Sequence, residues 1–173
     1  TKQVLIMINI GVIGYGYWGP KIVRNLMKID EFIITKIVDL NDQNLLKAKK
    51  LYPRLILSDD SNDIINDKNI NAVIIATPVS THFRLAKAAL NAGKHTLVEK
   101  PLASTSEECK NLIDLADKNK LILQVDHINN FADIQALIPI RTKNIQLLKY
   151  KGTLKNLKKI IANKKIIRIE ENI

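Results

Sequence analysis

The sequence holds one cysteine, Cys109, in 173 residues. A single thiol excludes an internal disulfide and a cysteine-built metal site, and nothing here points to an oxidising compartment. Histidine is almost as scarce. His82, His95 and His127 stand apart, with no other ligands at metal spacing, so no metal site is expected. No apolar run approaches the ~20 residues needed to cross a bilayer. The run 4–13, after Lys2, imitates the core of a signal peptide. Bulky Tyr15, Tyr17 and Trp18 then follow where small cleavage-site residues belong. A cytoplasmic location is the expectation, with the recognisable pattern starting at Met7. Aromatics make up only 5% of the chain, which bears on its net charge of +10. Residues 1–132 set 17 Lys+Arg against 14 Asp+Glu, whereas residues 133–173 set 10 against 3. The excess therefore lies in a tail without interleaved aromatics or a known motif, so nucleic acid is not the expected partner.

Glycine is also sparse, yet three of the six glycines form one motif. An apolar run, Ile8 to Ile13, feeds Gly14-Tyr15-Gly16-Tyr17-Trp18-Gly19, and a helix-compatible run from Lys21 follows. In such a G-x-G-x-x-G loop the first glycine allows a tight turn out of a strand. The second lets backbone approach a pyrophosphate, and the third lets helix and strand pack closely. The helix N-terminus then points free N–H groups at the phosphates. The pattern alone is weak. Here it lies between a strand and a helix, and a run Ile-Val-Asp ends at Asp39, twenty positions beyond Gly19. That is where a carboxylate holding a ribose is expected. Such a carboxylate would repel a 2′-phosphate, so NAD is favoured over NADP.

Apolar runs and amphipathic stretches alternate from residue 8 to 125. Strand-like runs are 8–13, 32–38, 55–57, 72–76, 95–98 and 121–125. They show little alternation, as parallel strands covered on both faces do. Helical patterns lie at 21–28, 42–51, 61–66, 81–91 and 106–119. Gly93 stops the fourth, and Ser104 with Glu107 suggests a capping box for the fifth. The reading is an α/β doubly wound parallel sheet of the Rossmann type over residues 7–127. Residues 128–173 form a short basic appendage, read as a helix plus a short strand. Ligands of such sheets bind at the carboxyl ends of the strands. That directs attention to Gly14–Gly19, Asp39, Thr77-Pro78, Glu99-Lys100-Pro101 and Asp126-His127.

Taken singly, these positions leave alternatives open. Asp39 reads as a ribose ligand or as a turn aspartate. Thr77, Pro78 and His82 read as a floor under a dinucleotide or as a loop and a helix start. Lys100 at the mouth of the sheet could hydrogen-bond a substrate hydroxyl, and burial there would ease loss of its proton; most lysines, however, are simply solvated. Pro101 fixes a turn, with a cis peptide as one way of doing so. His127 either faces a ligand or caps a strand, and His95 reads as structural. Tyr17 and Trp18 read as a base-stacking pair or as packing around the loop. Cys109 falls in a helical pattern and reads as inert.

Several of these stretches together resemble a known family. They are Gly-Tyr-Gly-Tyr-Trp-Gly-Pro (14–20), Asp39, Ala-Thr-Pro-Val-Ser-Thr-His (76–82), Gly-Lys-His-Thr-Leu-Val-Glu-Lys-Pro-Leu-Ala (93–103) and Asp-His (126–127). The resemblance is to the glucose–fructose oxidoreductase, inositol dehydrogenase and rhizopine-catabolism group (Gfo/Idh/MocA), over about residues 7–127. It implies a two-domain, usually oligomeric NAD(P)-dependent oxidoreductase. Such enzymes move hydride between nicotinamide and a hydroxyl-bearing or keto carbon of a sugar, sugar nucleotide, inositol or related compound. It places Gly14, Tyr15, Gly16, Tyr17, Trp18, Gly19, Asp39, Thr77, Pro78, His82, Glu99 and Lys100 around the cofactor. Lys100 lies at the cofactor–substrate junction as the catalytic residue, and His127 lies toward the substrate. The Tyr-Trp-Gly form of the loop looks most like the nucleotide-sugar branch.

The pattern departs from the family after His127. Members continue into a large substrate domain carrying an Asp-x-x-x-His arrangement, whereas Ile128-Asn129-Asn130 follow here and no later histidine occurs. Three readings therefore stand: an NAD-dependent oxidoreductase completed by another group or subunit, a catalytically incomplete NAD-binding module, and a basic tail that serves as an interaction surface. A homo-oligomer or a complementing subunit is the expected partner, besides a sugar-type small molecule.

Overall fold

The computed structural model describes residues 7–126. Six strands and five helices alternate: β1 (Ile8–Ile13), α1 (Gly19–Leu26), β2 (Phe32–Val38), α2 (Asp42–Leu51), β3 (Ile56–Ser58), α3 (Asn62–Ile65), β4 (Ala72–Ile75), α4 (Val79–Asn91), β5 (His95–Glu99), α5 (Ser106–Lys118) and β6 (Leu123–Asp126). All strand pairs are parallel, in the order β3-β2-β1-β4-β5-β6. The doubly wound α/β expectation holds. The expected tail and His127 lie outside the described residues.

The strands form where β-branched runs can be buried on both faces. β4 is the clearest case, with all four residues buried. Successive residues point to opposite sides. Ile8, Ile10 and Val12 join Ile22, Val23 and Leu26 of α1 in one core, with Ile74 and Leu97. Ile13, Val73, Ile75 and Val98 join Leu85 and Leu90 of α4 and Leu112 of α5 in the other. Each fully buried aliphatic side chain is worth about 1.5–3 kcal/mol. The β1–β2 register slips between Ile10 and Gly11, leaving Thr35 as the extra residue, and its hydroxyl donates back to the Ile10 carbonyl (3.3 Å).

The helices follow their sequence patterns with shifted ends. α1 starts two residues before the expected Lys21, because Pro20 is tolerated in a first turn. α4 starts at Val79 and stops just before Gly93, presenting His82, Leu85, Ala86, Ala89 and Leu90 inward. The capping box of α5 is one residue later than Ser104 and Glu107 suggest. Thr105 Oγ1 accepts from the Glu108 N–H (3.1 Å), and Glu108 Oε2 accepts from the N–H groups of Ser104 (3.0 Å) and Thr105 (3.3 Å). The later pair satisfies three backbone donors, which decides between two overlapping matches. Among the described residues no helix is long and apolar enough to cross a membrane.

Candidate functional site

The strand order reverses between β1 and β4, so the loops leaving these strands diverge and open a cleft at their carboxyl ends. Gly14 opens the loop after β1. Its φ of +99° and the crowding of any added Cβ by the Ala76 carbonyl exclude other residues. Its N–H donates to the Val38 carbonyl (2.7 Å), tying the loop to β2. A Cβ on Gly19 would lie 2.5 Å from the Gly14 carbonyl oxygen, so the start of α1 packs onto the turn only without a side chain. Gly16 differs: it is exposed, and nothing lies within 4 Å of the place a Cβ would occupy. The N–H groups of Gly16, Tyr17, Trp18 and Gly19 find no acceptor among the described residues. α1 also has no side-chain cap and no acidic residue in its first turn. The positive end of the helix is therefore left for an external anion.

Asp39 follows β2 and faces this loop. One carboxylate oxygen accepts the Tyr15 N–H at 2.5 Å; the other accepts the Asn41 N–H at 2.8 Å and the Asn44 amide at 3.2 Å. An ionised carboxylate offers about four acceptor sites, so capacity remains for a hydroxyl donor. Asn41 also caps α2 by accepting from the Gln43 N–H (2.9 Å). Tyr15, expected at the cofactor, turns its ring into the core. Burial, and then Tyr52, push its phenol above the usual value. Its approach to a ligand is thus confined to backbone.

Tyr17 is 75% exposed, while Trp18 packs against the α1-side core. Their rings meet edge to face at 5.1 Å between centroids. Lys21 lies with its ammonium 3.7 Å from the Tyr17 centroid and 4.2 Å from that of Trp18. Lys21, Asn41 and Asn44 are site neighbours that sequence reasoning missed. For Lys21 the available signal was a lysine in the first turn after an aromatic pair.

On the far side of the cleft, Thr77 is half-buried and Pro78 exposed. Thr77 and Thr81 hydroxyls meet at 2.7 Å, and Thr81 also donates to the Pro78 carbonyl (2.7 Å). His82 is buried and faces the backbone of two loops instead of the cleft. Glu99 is buried at the end of β5, and the Lys100–Pro101 peptide is cis. Lys100 is exposed, so the described residues do not supply the burial that the sequence reading invoked for it. His95 is structural as expected: its Nδ1 accepts from the Ile122 N–H at 3.1 Å. No cluster of His, Cys, Asp or Glu suited to a metal occurs among the described residues.

A parallel sheet with a glycine loop at its order reversal, a bare helix N-terminus there and an acid closing the next strand defines a dinucleotide-binding Rossmann domain. The particular family follows from comparison. Residues 8–127 match the model of the oxidoreductase family with an NAD-binding Rossmann fold, and the chain belongs to that Gfo/Idh/MocA family. It is 35% identical over 120 residues to the uncharacterized oxidoreductase YdgJ of Escherichia coli (strain K12), covering 69% of this chain and 34% of that protein. It is 33% identical over 136 residues to the scyllo-inositol 2-dehydrogenase (NADP(+)) IolW of Bacillus subtilis (strain 168), covering 76% and 37%. The crystal structure of scyllo-inositol dehydrogenase from Lactobacillus casei with bound NAD(H) and scyllo-inositol superposes with a TM-score of 0.64 at 28% identity, covering 69% and 36%. The chain thus spans about a third of the length of the curated relatives it matches.

Proposed function

We propose that this chain carries the cofactor-binding half of an oxidoreductase that exchanges hydride between NAD(H) and a hydroxyl-bearing carbon of a polyol, sugar or sugar nucleotide. The observation that carries the reading is the row of unclaimed N–H groups from Gly16 to Gly19, set at the strand reversal and fixed through Tyr15 to Asp39. Gly14, Gly16 and Gly19 shape the loop, and the N–H groups of residues 16–19 would hold the pyrophosphate. Lys21 would add a side-chain cation nearby, with Tyr17 and Trp18 forming the loop's aromatic rim. Asp39 would accept from the ribose hydroxyls, and Thr77, Pro78 and Glu99 would border the nicotinamide side. The bound nicotinamide supplies the hydride acceptor or donor. Lys100, exposed at the end of β5, would donate to the substrate hydroxyl and orient it. Removal of the substrate proton calls for a further group, from this chain or from a partner subunit. His127 is a substrate-side candidate outside the described residues. Cytoplasmic sugar or polyol metabolism is part of the same reading.

The named relatives differ in cofactor, NADP(+) for IolW and NAD(H) for the Lactobacillus casei enzyme. Asp39 supports NAD here. Fluorescence titration should show NADH binding more tightly than NADPH, with Asp39→Ala narrowing the gap. Equal affinities in the unmodified protein would remove Asp39 from its role. A second reading, an NAD-binding module without turnover of its own, is consistent with the share of the relatives' length that is matched. The purified chain is expected to bind NADH and oxidise scyllo-inositol slowly or not at all. Brisk turnover would discard that second reading. An Asp-x-x-x-His substrate domain encoded downstream, in any frame, would mark the gene as that of a two-domain enzyme.

A further inference from the structure

His82 is 1% exposed, in the first turn and a half of α4, and reaches two loops at once. Its Nε2 lies 2.7 Å from the Thr77 carbonyl oxygen, just after β4, and its Nδ1 lies 2.7 Å from the Pro101 carbonyl oxygen, just after β5. Carbonyl oxygens only accept. A ring N–H is therefore a donor here, and the imidazole lies between the turn after β4 and the turn after β5. The clasp also has a mechanical setting. Thr77 abuts the glycine loop: a Cβ on Gly14 would come 3.0 Å from Thr77 Cγ2, besides meeting the Ala76 carbonyl. Thr81, one residue before His82, holds the same turn through Thr77 Oγ1 and the Pro78 carbonyl. On the other side Pro101 follows Lys100 directly. The first turn of α4 has no acidic residue, and the acid nearest the Pro101 end in sequence is the buried Glu99.

We propose that His82 is a positioning residue whose imidazole clasps the turns at the Thr77 and Pro101 carbonyls and so sets Lys100 against the glycine loop. Its bearing on the reaction rests on the function proposed above; the clasp itself does not. In amide spectra, His82→Gln should shift the resonances of both Lys100 and Gly16, and NADH affinity should fall about fivefold in His82→Ala and less in His82→Gln. Shifts confined to the Thr77 turn, or unchanged affinity in folded His82→Ala, would overturn the positioning role. Failure of the unmodified chain to bind NADH would instead refute the functional reading, and the amide shifts would still decide the clasp.

Discussion

The two ends of the sheet solve opposite problems. At the amino ends, polar groups are answered within the chain. Asn9 donates from its side chain to the Asn69 carbonyl (2.9 Å), and its N–H is taken by the Asn71 side chain (2.9 Å). Buried Lys94 donates to the carbonyls of Asp67 (2.5 Å) and Ile70 (2.8 Å), and Lys36 pairs with the Asp67 carboxylate at 2.8 Å. At the carboxyl ends, four consecutive N–H groups have no such answer among the described residues. The contrast separates what holds the fold from what it holds out to a ligand. A lysine at one end is a structural fastener; at the other, Lys100 stands in solvent.

Breaking the fastened end should have the largest effect on stability. Lys94→Met removes two hydrogen bonds, leaving the Asp67 carbonyl with the Ile70 N–H alone and taking the lysine from the buried Ile70 carbonyl, at a cost of about 2–4 kcal/mol. Urea titration should show that loss, while NADH affinity of the folded fraction stays within about twofold, a change of roughly 0.4 kcal/mol. The converse test is Gly16→Ala. The open space around Gly16 predicts a melting temperature close to the parent's, yet NADH affinity should fall about tenfold, roughly 1.4 kcal/mol. If stability and binding fall together in both variants, the division between the ends is wrong.

A subtler test uses pH. Burial holds the His95 imidazole below its usual 6.5, and its Nδ1 must stay unprotonated to accept from Ile122. The unfolded chain therefore takes up a proton more readily. The contribution is complete above pH 6.5 and is lost as pH falls through and below that value. Asp67, held low chiefly by Lys36, acts only below its usual 3.8. Thermal melts should decline from pH 7 to pH 5, and His95→Gln should flatten that decline. An equally steep decline in the variant would assign it to another group. The smallest effect is expected of Asn44→Ala, which frees one acceptor site on Asp39. NADH affinity should change by no more than about threefold, well under 1 kcal/mol, with tightening expected if the amide competes with ribose.

Much of the fold was legible because parallel strands buried on both faces are nearly unbroken β-branched runs, as 72–75 shows. The glycine loop was legible because its spacing encodes backbone geometry. What could not be read was which way a side chain turns once two distant loops become neighbours. His82 sits at a helix start in a promising motif, yet its ring faces two carbonyls brought together by β4 and β5. Lys94 looks like any surface lysine until the turn before β4 closes over it. Tyr15 lies inside the motif but belongs to the core. Each outcome depends on strand order, which periodicity does not specify.

Asp39 has a consequence for how easily this protein could be recoded. The carboxylate proposed above to discriminate between cofactors is also the group that anchors the glycine loop through Tyr15. On that proposal, changing preference by one substitution at residue 39 would also loosen the glycine loop. A mutational route to the phosphorylated dinucleotide would therefore have to replace the anchor before, or together with, the discriminator, so the two traits are inherited as one.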